Sequence, residues 1–414
     1  MSQCPFANFP NMIDPDTYAD GMPFDQLKEL RNSCPVSKQR DTDNDMDFWA
    51  ITRREDLDYI SKNPQLFSSQ ERLCLIEEMD GEMLEIQRTQ IVHMDPPDHI
   101  KHRRIVRNAF TAKAVDALEP FIRERIGEVL DRVLAKGECE FVSEVAAEVP
   151  LLVVCELMGI PPEERDVFGG HVNVMLEGLD PTTGISEDEQ TASMMAIFEQ
   201  ANKLAAQHKE NPRDDLIAKL MDGEVDGEGL NEMEFCTFFL LLIVGGIETT
   251  RTSTSQGMRL LMEHPDQYRW LQQHPEAVSG AVEEILRFNP AFMHMRRTAM
   301  EDVEVNGMQI KKGDKVVLMY DAVNHDEAVF GDSSEEFNVR RIEDMPELKN
   351  EHRTFGVGQH FCLGSHLARK EMNIVFEGIV KRIHNPQFAG CPRNLQSNFI
   401  SGIREMNITF DKSA

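Results

Sequence analysis

Phe355-Gly-Val-Gly-Gln-His-Phe-Cys-Leu-Gly364 is the stretch on which the reading of this chain turns. Taken alone, a cysteine such as Cys362 behaves as a small buried hydrophobe. The neighbours argue otherwise. Gly356, Gly358 and Gly364 permit backbone angles closed to other residues and let the chain approach another group closely. Leu363, Leu367, Ile374 and Val375 then begin a helical period, which predicts Cys362 at a helix N-terminus. The dipole and free N–H groups there favour an anion, so the thiol ionises more readily. A thiolate held by backbone N–H groups is what a soft metal ligand requires, and Phe355 is placed to pack beside the sulfur and exclude water.

Working outward, a second unusual stretch is Leu240-Leu-Leu-Ile-Val-Gly-Gly-Ile-Glu-Thr-Thr250, apolar and then abruptly polar. A glycine inside a helix costs up to about 1 kcal/mol against alanine, so Gly245 and Gly246 together predict a kink or the close approach of a ligand. A buried helix emerging at its solvent end fits the same letters. Glu284-Ile-Leu-Arg287 puts a carboxylate and a guanidinium on one helix face, ordinarily a surface pair of little consequence. Asp95-Pro-Pro-Asp-His-Ile-Lys-His-Arg103 reads as a helix start capped by Asp95, with His99 and Arg103 four apart on one face.

With these motifs together, the chain resembles the cytochrome P450 family of heme-thiolate monooxygenases, in its soluble bacterial, ferredoxin-dependent class I form, from about residue 40 to the C-terminus. Phe355, Gly358, His360, Cys362 and Gly364 fill the family's cysteine-loop signature. The resemblance implies heme b with Cys362 as axial iron ligand, the thiolate pushing electron density toward iron. It implies that Gly245 clears space over the heme, and that Glu248 and Thr249 are the acid–alcohol pair that delivers protons for oxygen activation. Many relatives carry Asp where this chain has Glu248. Thr250 is read as structural. Glu284 and Arg287 become a buried pair met by an Arg of Phe337-Asn-Val-Arg-Arg341, best matched by Arg341 with Arg340 as fallback. His99, Arg103, Arg297 and His360 become partners of the heme propionates, while the adjacent Arg296 reads as a solvated charge.

The same resemblance implies an apolar pocket walled by the loop around Leu73–Leu84, Met175 and Leu176, by Leu240 and Val244, by Ala291 and Met295, and by Phe399 and Ile400. Such a pocket suits a steroid, terpenoid, fatty-acyl or aromatic substrate held by burial. His294 either hydrogen-bonds that substrate or faces solvent. Lys101, Arg104, Arg107, Arg369 and Lys370 form a candidate docking patch for an acidic ferredoxin, itself reduced by a ferredoxin reductase, because the chain has no flavin or iron–sulfur segment of its own. His171 and His208 have no companions at metal-ligand spacing. A peroxide-driven enzyme of the same fold would have less use for the acid–alcohol pair, and a non-catalytic heme sensor would need neither the pair nor the patch.

Composition bounds these readings. The 414 residues carry 72 Asp+Glu against 43 Lys+Arg, a net charge of −29, which argues against a general nucleic-acid binder. Eight cysteines are scattered without a C-x-x-C pair, which predicts no disulfide framework and suits a reducing cytoplasm. No signal-like start is expected, and the apolar run 235–247 is shorter than the ~20 residues of a membrane span, so no membrane association is expected.

The periodicity predicts helices over 24–32, 96–109, 144–158, 188–208, 213–222, 230–262, 276–288 and 363–382, and an amphipathic stripe from Val115 through Leu134 that ends at Lys136-Gly137. Strands are expected at 48–52, 316–320 and, as a last edge, 406–410, with a hairpin at 303–310 turned by Asn306-Gly307. The stretches 68–93 and 180–184 read as mobile loops. The fold class is mainly α with minor β, one P450 domain over 1–414 with residues 1–40 as an N-terminal extension: a helix-rich triangular prism with small sheets and a long central helix over the heme.

Overall fold

The computed structural model describes residues 11–411 apart from 19–20, 43, 179 and 213–214; Cys4 and the first part of the expected extension lie outside them. Helix predominates, with short sheets between, in agreement with the expected class. By their internal contacts the residues fall into two compact units.

The first unit comprises Met1–His99, Glu283–Cys362 and Gln396–Ser401. It is built on a five-stranded sheet in the order Val36–Asp41, Met46–Ile51, Lys315–Met319, His294–Ala299, Phe67–Ser68. Lys315–Met319 runs parallel to Met46–Ile51 and antiparallel to His294–Ala299. Every residue of that central strand is buried, because both faces of the sheet are covered. One face packs Trp49, Ile51, Val316 and Leu318 with Leu57 and Ile60. The other packs Phe48, Ala50, Val317 and Met319 with Leu27, Leu30 and Ile76. The segment expected as an extension therefore contributes a packed helix, Phe24–Ser33, and the edge strand Val36–Asp41. The hairpin forms as expected: Val303–Val305 pairs with Met308–Ile310, and Asn306 and Gly307 take positive φ of 48° and 76°.

The second unit comprises Ile100–Val282, Leu363–Leu395 and Gly402–Ala414. Its long helix Glu232–Glu263 packs against Glu148–Leu157, Glu187–Glu210 and Ser365–Arg382. Two of these helices begin in reciprocal capping boxes, Asn231 with Glu234 and Ser186 with Glu189, which satisfy orphan N–H groups at each start. Glu119–Lys136 ends where expected, at Gly137 in the left-handed region.

Several expectations are corrected. Residues 407–409 form the middle strand of a three-stranded sheet between Gln387–Phe388 and Glu138–Glu140, not an edge. The stretch 68–93 contains the helix Gly81–Arg88. The stretch 180–184 is a 3-10 turn whose buried Asp180 accepts from the Thr182 N–H. The helix Glu232–Glu263 is long and apolar enough to cross a membrane by length and composition, although half of its most apolar window is buried by protein. The apolar run alone understated its length.

Candidate active site

The cysteine loop closes on itself. The Cys362 N–H donates to the Phe355 carbonyl at 2.8 Å, and Gly358–His360 forms a 3-10 turn between them. Gly356 and Gly358 both take positive φ. At Gly358 a Cβ would also stand 2.8 Å from the Ser61 carbonyl oxygen, so no side chain fits there. The helix itself starts at Ser365 with Gly364 as its cap, so Cys362 precedes the first turn rather than lying in it. The thiol is partly exposed.

Beside this loop the His360 and His99 rings lie 4.2 Å apart, and His360 Nε2 is 3.3 Å from the Ser69 hydroxyl. Ser69 went unnoticed in the sequence. The Asp95 carboxylate accepts from the Ser68 hydroxyl and the Ser69 N–H and pins that segment. Arg297 is buried, and its guanidinium has one hydrogen bond among the described residues, to the Arg296 carbonyl at 2.6 Å. No carboxylate of the described residues pairs with it. A buried guanidinium without an anion is costly unless another group supplies the charge, and the acidic edge of a heme is such a group. Arg103 is partly exposed on the helix Asp98–Val106.

Arg296 is not solvated, contrary to expectation. It is buried and pairs with Glu78 at 2.7 Å. Glu284 and Arg287 are fully buried, 2.7 Å apart, and Arg341 Nε reaches Glu284 at 2.9 Å. The two arginines also donate to the carbonyls of Asn324, Ser333, Ser334 and Glu336, which staples the helix Val278–Phe288 to the 333–341 segment. Arg340 instead makes an exposed pair with Glu343.

In the second unit, Gly245 and Gly246 lie within the continuous helix Glu232–Glu263. The two glycines differ. A Cβ on Gly245 would meet open space, whereas one on Gly246 would press on Val154 Cγ2 at 3.1 Å. Thr249 donates its hydroxyl to the Gly245 carbonyl at 2.8 Å. Leu240 and Val244, four apart, are partly exposed on the same helix.

Glu248 is buried. Its Oε2 lies 2.7 Å from Arg251 Nη2, close enough for an ion pair though outside hydrogen-bond alignment, and Thr252 donates to its Oε1 at 3.2 Å. Burial pushes this carboxyl upward, and Arg251 opposes part of that rise. Arg251 and Thr252 were missed, although their three- and four-residue spacing from Glu248 was visible.

The remaining pocket candidates lie in the first unit. Ala291 and Phe399 sit on paired segments, joined by Met293 N–H to the Phe399 carbonyl at 2.9 Å and Ser401 N–H to the Ala291 carbonyl at 3.0 Å. Met295 packs on the cluster containing Leu318. His294 does not face solvent: it is fully buried, lies near the Asn398 backbone and the Phe399 ring, and is held to about 4 chiefly by burial, so its ring is neutral. Of the patch residues, Arg104 and Arg107 are exposed, but Lys101 pairs with Asp226 and Lys370 with Glu119 and Asp116.

A family description, cytochrome P450, matches residues 186–385. The chain is 34% identical to a steroid C26-monooxygenase of Rhodococcus jostii, over 97% of this chain and 84% of that one.

The chain belongs to the cytochrome P450 family.

This P450 is also 35% identical to a methyl-branched lipid omega-hydroxylase of Mycobacterium tuberculosis, over 87% of this chain and 84% of that one. Among solved structures, a Mycobacterium marinum cytochrome P450 in complex with pseudoionone has a TM-score of 0.88 at 31% identity, covering 99% of this chain and all of that one. The fold is therefore the P450 fold, the cofactor heme b, and the enzyme a monooxygenase that hydroxylates apolar substrates with O2.

Proposed function

We propose that this P450 hydroxylates the far end of an apolar chain, on a steroid side chain or a branched lipid, using electrons from a ferredoxin and its reductase in the cytoplasm. The names of the two relatives, C26 of a steroid and the omega position of a lipid, support this reading. Heme, when bound, supplies the oxidising chemistry for an unactivated C–H bond.

The residues then divide the work. The Cys362 thiolate ligates the iron, and Phe355 and Gly364 shape its loop. Arg297, His99, His360 and Arg103 hold the propionates. The observation that carries this seating is the buried Arg297 guanidinium with no carboxylate of the described residues opposite it. Gly245, beside which an added Cβ meets open space, would leave room for the oxygen ligand. Thr249 holds a proton at its hydroxyl, and Glu248 takes up and passes a proton at its carboxylate. The upward displacement of that carboxyl brings it nearer the working pH, as a proton donor requires. Leu240, Val244, Ala291, Met295 and Phe399 exclude water from the substrate. Glu284, Arg287 and Arg341 support the fold beneath the cysteine loop. Arg104 and Arg107 give an acidic ferredoxin its footing, with Lys101 and Lys370 already compensated by acids of this chain.

Adding CO to the dithionite-reduced enzyme is expected to give a Soret band near ~450 nm, lost in Cys362→Ser. A band near ~420 nm in the wild type would refute the thiolate assignment. A ligand screen with steroids and methyl-branched fatty acids, read by the shift of iron from low to high spin, tests the substrate class; no shift with either would refute it.

A further inference from the structure

Four charged side chains outside the proposed chemistry meet on one face of the first unit's sheet. Lys315 is fully buried and pairs with Asp41 at 2.8 Å and Glu78 at 3.0 Å. Arg296, also buried, reaches the same Glu78 oxygen at 2.7 Å. Lys315, Val317 and Met319 share this face of their strand by alternation, and Arg296 pairs with Val317 in register. Two cations and two carboxylates balance. Asp41 belongs to the edge strand of the sheet, but Glu78 does not belong to the sheet at all. It is carried by the segment 69–80, between Phe67–Ser68 and the helix Gly81–Arg88.

The rest of that segment is anchored mainly through its first half. Asp95 holds Ser68 and Ser69, His93 accepts from the Cys74 N–H, and the Cys74 carbonyl accepts from the Arg296 N–H. Leu73 is buried with φ of +67°, a conformation a leucine keeps only where its surroundings impose it. In the second half, Ile76 packs on Val317 and Met319, and Glu78 is the residue that ties the chain electrostatically to the sheet. Removing Glu78 would leave Lys315 and Arg296 buried against Asp41 alone. A buried cation left short of its anion is strongly unfavourable, so the segment is held closed by the sheet's own need for charge.

We infer that Glu78 is a positioning residue: it latches segment 69–80 onto the Lys315–Arg296 pair, and its release sets how fast substrate enters and leaves. The second half of this statement rests on the proposed reading that the same segment walls the substrate pocket. Loops of this kind control passage when few interactions hold them shut.

The test uses the heme-loaded enzyme and 4-phenylimidazole, whose ligation to iron is read from the Soret shift. In Glu78→Gln, amide exchange over 75–80 is expected to be about 10-fold faster or more. Association and dissociation of 4-phenylimidazole should both rise by about 5-fold, with the CO band of the reduced protein unchanged. Glu78→Asp keeps the charge, retracts it by one methylene, and should fall between; it carries the test if Glu78→Gln loads heme poorly. Unchanged amide exchange in both variants overturns the latch. Faster exchange with unchanged 4-phenylimidazole rates overturns the control of passage, and assigns the failure to the pocket-wall reading rather than to the ion pairs.

Discussion

Glu248 and Arg251 form a buried ion pair one helical turn apart, Oε2 to Nη2 at 2.7 Å. The acid assigned to proton delivery is therefore held by a cation from its own helix, with Thr252 donating to its other oxygen. Burial favours the protonated form, and Arg251 is the principal group opposing it. Arg251→Leu should raise the Glu248 carboxyl further and leave it unpaired when charged. A buried pair broken on one side costs about 3–5 kcal/mol. A folded-state pKa above the unfolded one means that stability is highest at low pH and is lost as pH rises toward the folded value. The variant's deficit against wild type should thus be small near pH 5 and grow toward pH 8. Thermal midpoints of the heme-loaded proteins across that range check this; a deficit independent of pH would refute the pairing argument.

Thr249 gives a separable prediction. Its hydroxyl donates to the Gly245 carbonyl, so Thr249→Ala removes a proton-holding group without unpairing a buried charge. Stability should change by less than about 1 kcal/mol. Product formation should fall by about 10²-fold, the usual scale of a lost proton-transfer group, while reductant consumption changes little. Measuring product and NADH together under one electron supply checks it; product falling in step with NADH would point to damage elsewhere.

A third prediction concerns a group that the proposed chemistry does not use. Glu371, on the helix Ser365–Arg382, is buried, its Oε2 has no hydrogen-bond partner among the described residues, and burial pushes it up to about 8. Because its folded pKa exceeds its unfolded value, its protonated form stabilises the fold most below about pH 4.5. That contribution is lost progressively up to about pH 8, and the full span corresponds to at most about 5 kcal/mol. Glu371→Gln should flatten this decline. Denaturation midpoints from pH 5 to 9 measure it, and parallel profiles for the two proteins would count against the carboxyl.

Much of the site was legible because its chemistry needs rare residues at fixed spacing. A Cβ added at Gly358 would stand 2.8 Å from the Ser61 carbonyl oxygen, so the glycine seen in the sequence is a steric requirement. Glu284 and Arg287 were visible as a pair, but three-residue spacing alone suits a surface helix equally well. Only the tertiary fold brings Arg341 against them and removes water. The same limit hid Arg296: a charge in an Arg-Arg doublet carries no mark of burial, and its partner Glu78 lies 218 residues away. The strands Val36–Asp41 and His294–Ala299 were missed because their letters are polar or charged, the former forming an edge and the latter burying Arg296 against Glu78.

Arg340 and Arg341 allow a direct contrast between neighbours. Arg341→Leu leaves Glu284 with one of its two cations, strands the carbonyl of Ser333 and takes one of two donors from that of Glu336. It should cost about 3–5 kcal/mol and lower heme content. Arg340→Ala removes an exposed pair with Glu343 and should cost less than about 1 kcal/mol. Heme-to-protein absorbance ratios and thermal midpoints of both variants test the assignment; equal effects would undo the preference for Arg341.

The two adjacent glycines of the long helix should also part company. Alanine improves helix propensity by about 1 kcal/mol over glycine at an interior site. At Gly246 the new methyl would meet Val154 Cγ2 at 3.1 Å, so part or all of that gain is offset by packing strain. At Gly245 the methyl meets nothing, and Gly245→Ala should raise the thermal midpoint. A glycine retained where alanine would be more stable implies that the space itself is used. Gly245→Ala should accordingly slow CO binding to the reduced enzyme by several-fold, on the scale by which one methyl alters a close-packed site. Gly246→Ala should leave CO binding unchanged. A stabilised Gly245→Ala with wild-type CO kinetics would mean that the open space beside this helix lies away from the iron, and would withdraw Gly245 from the oxygen site.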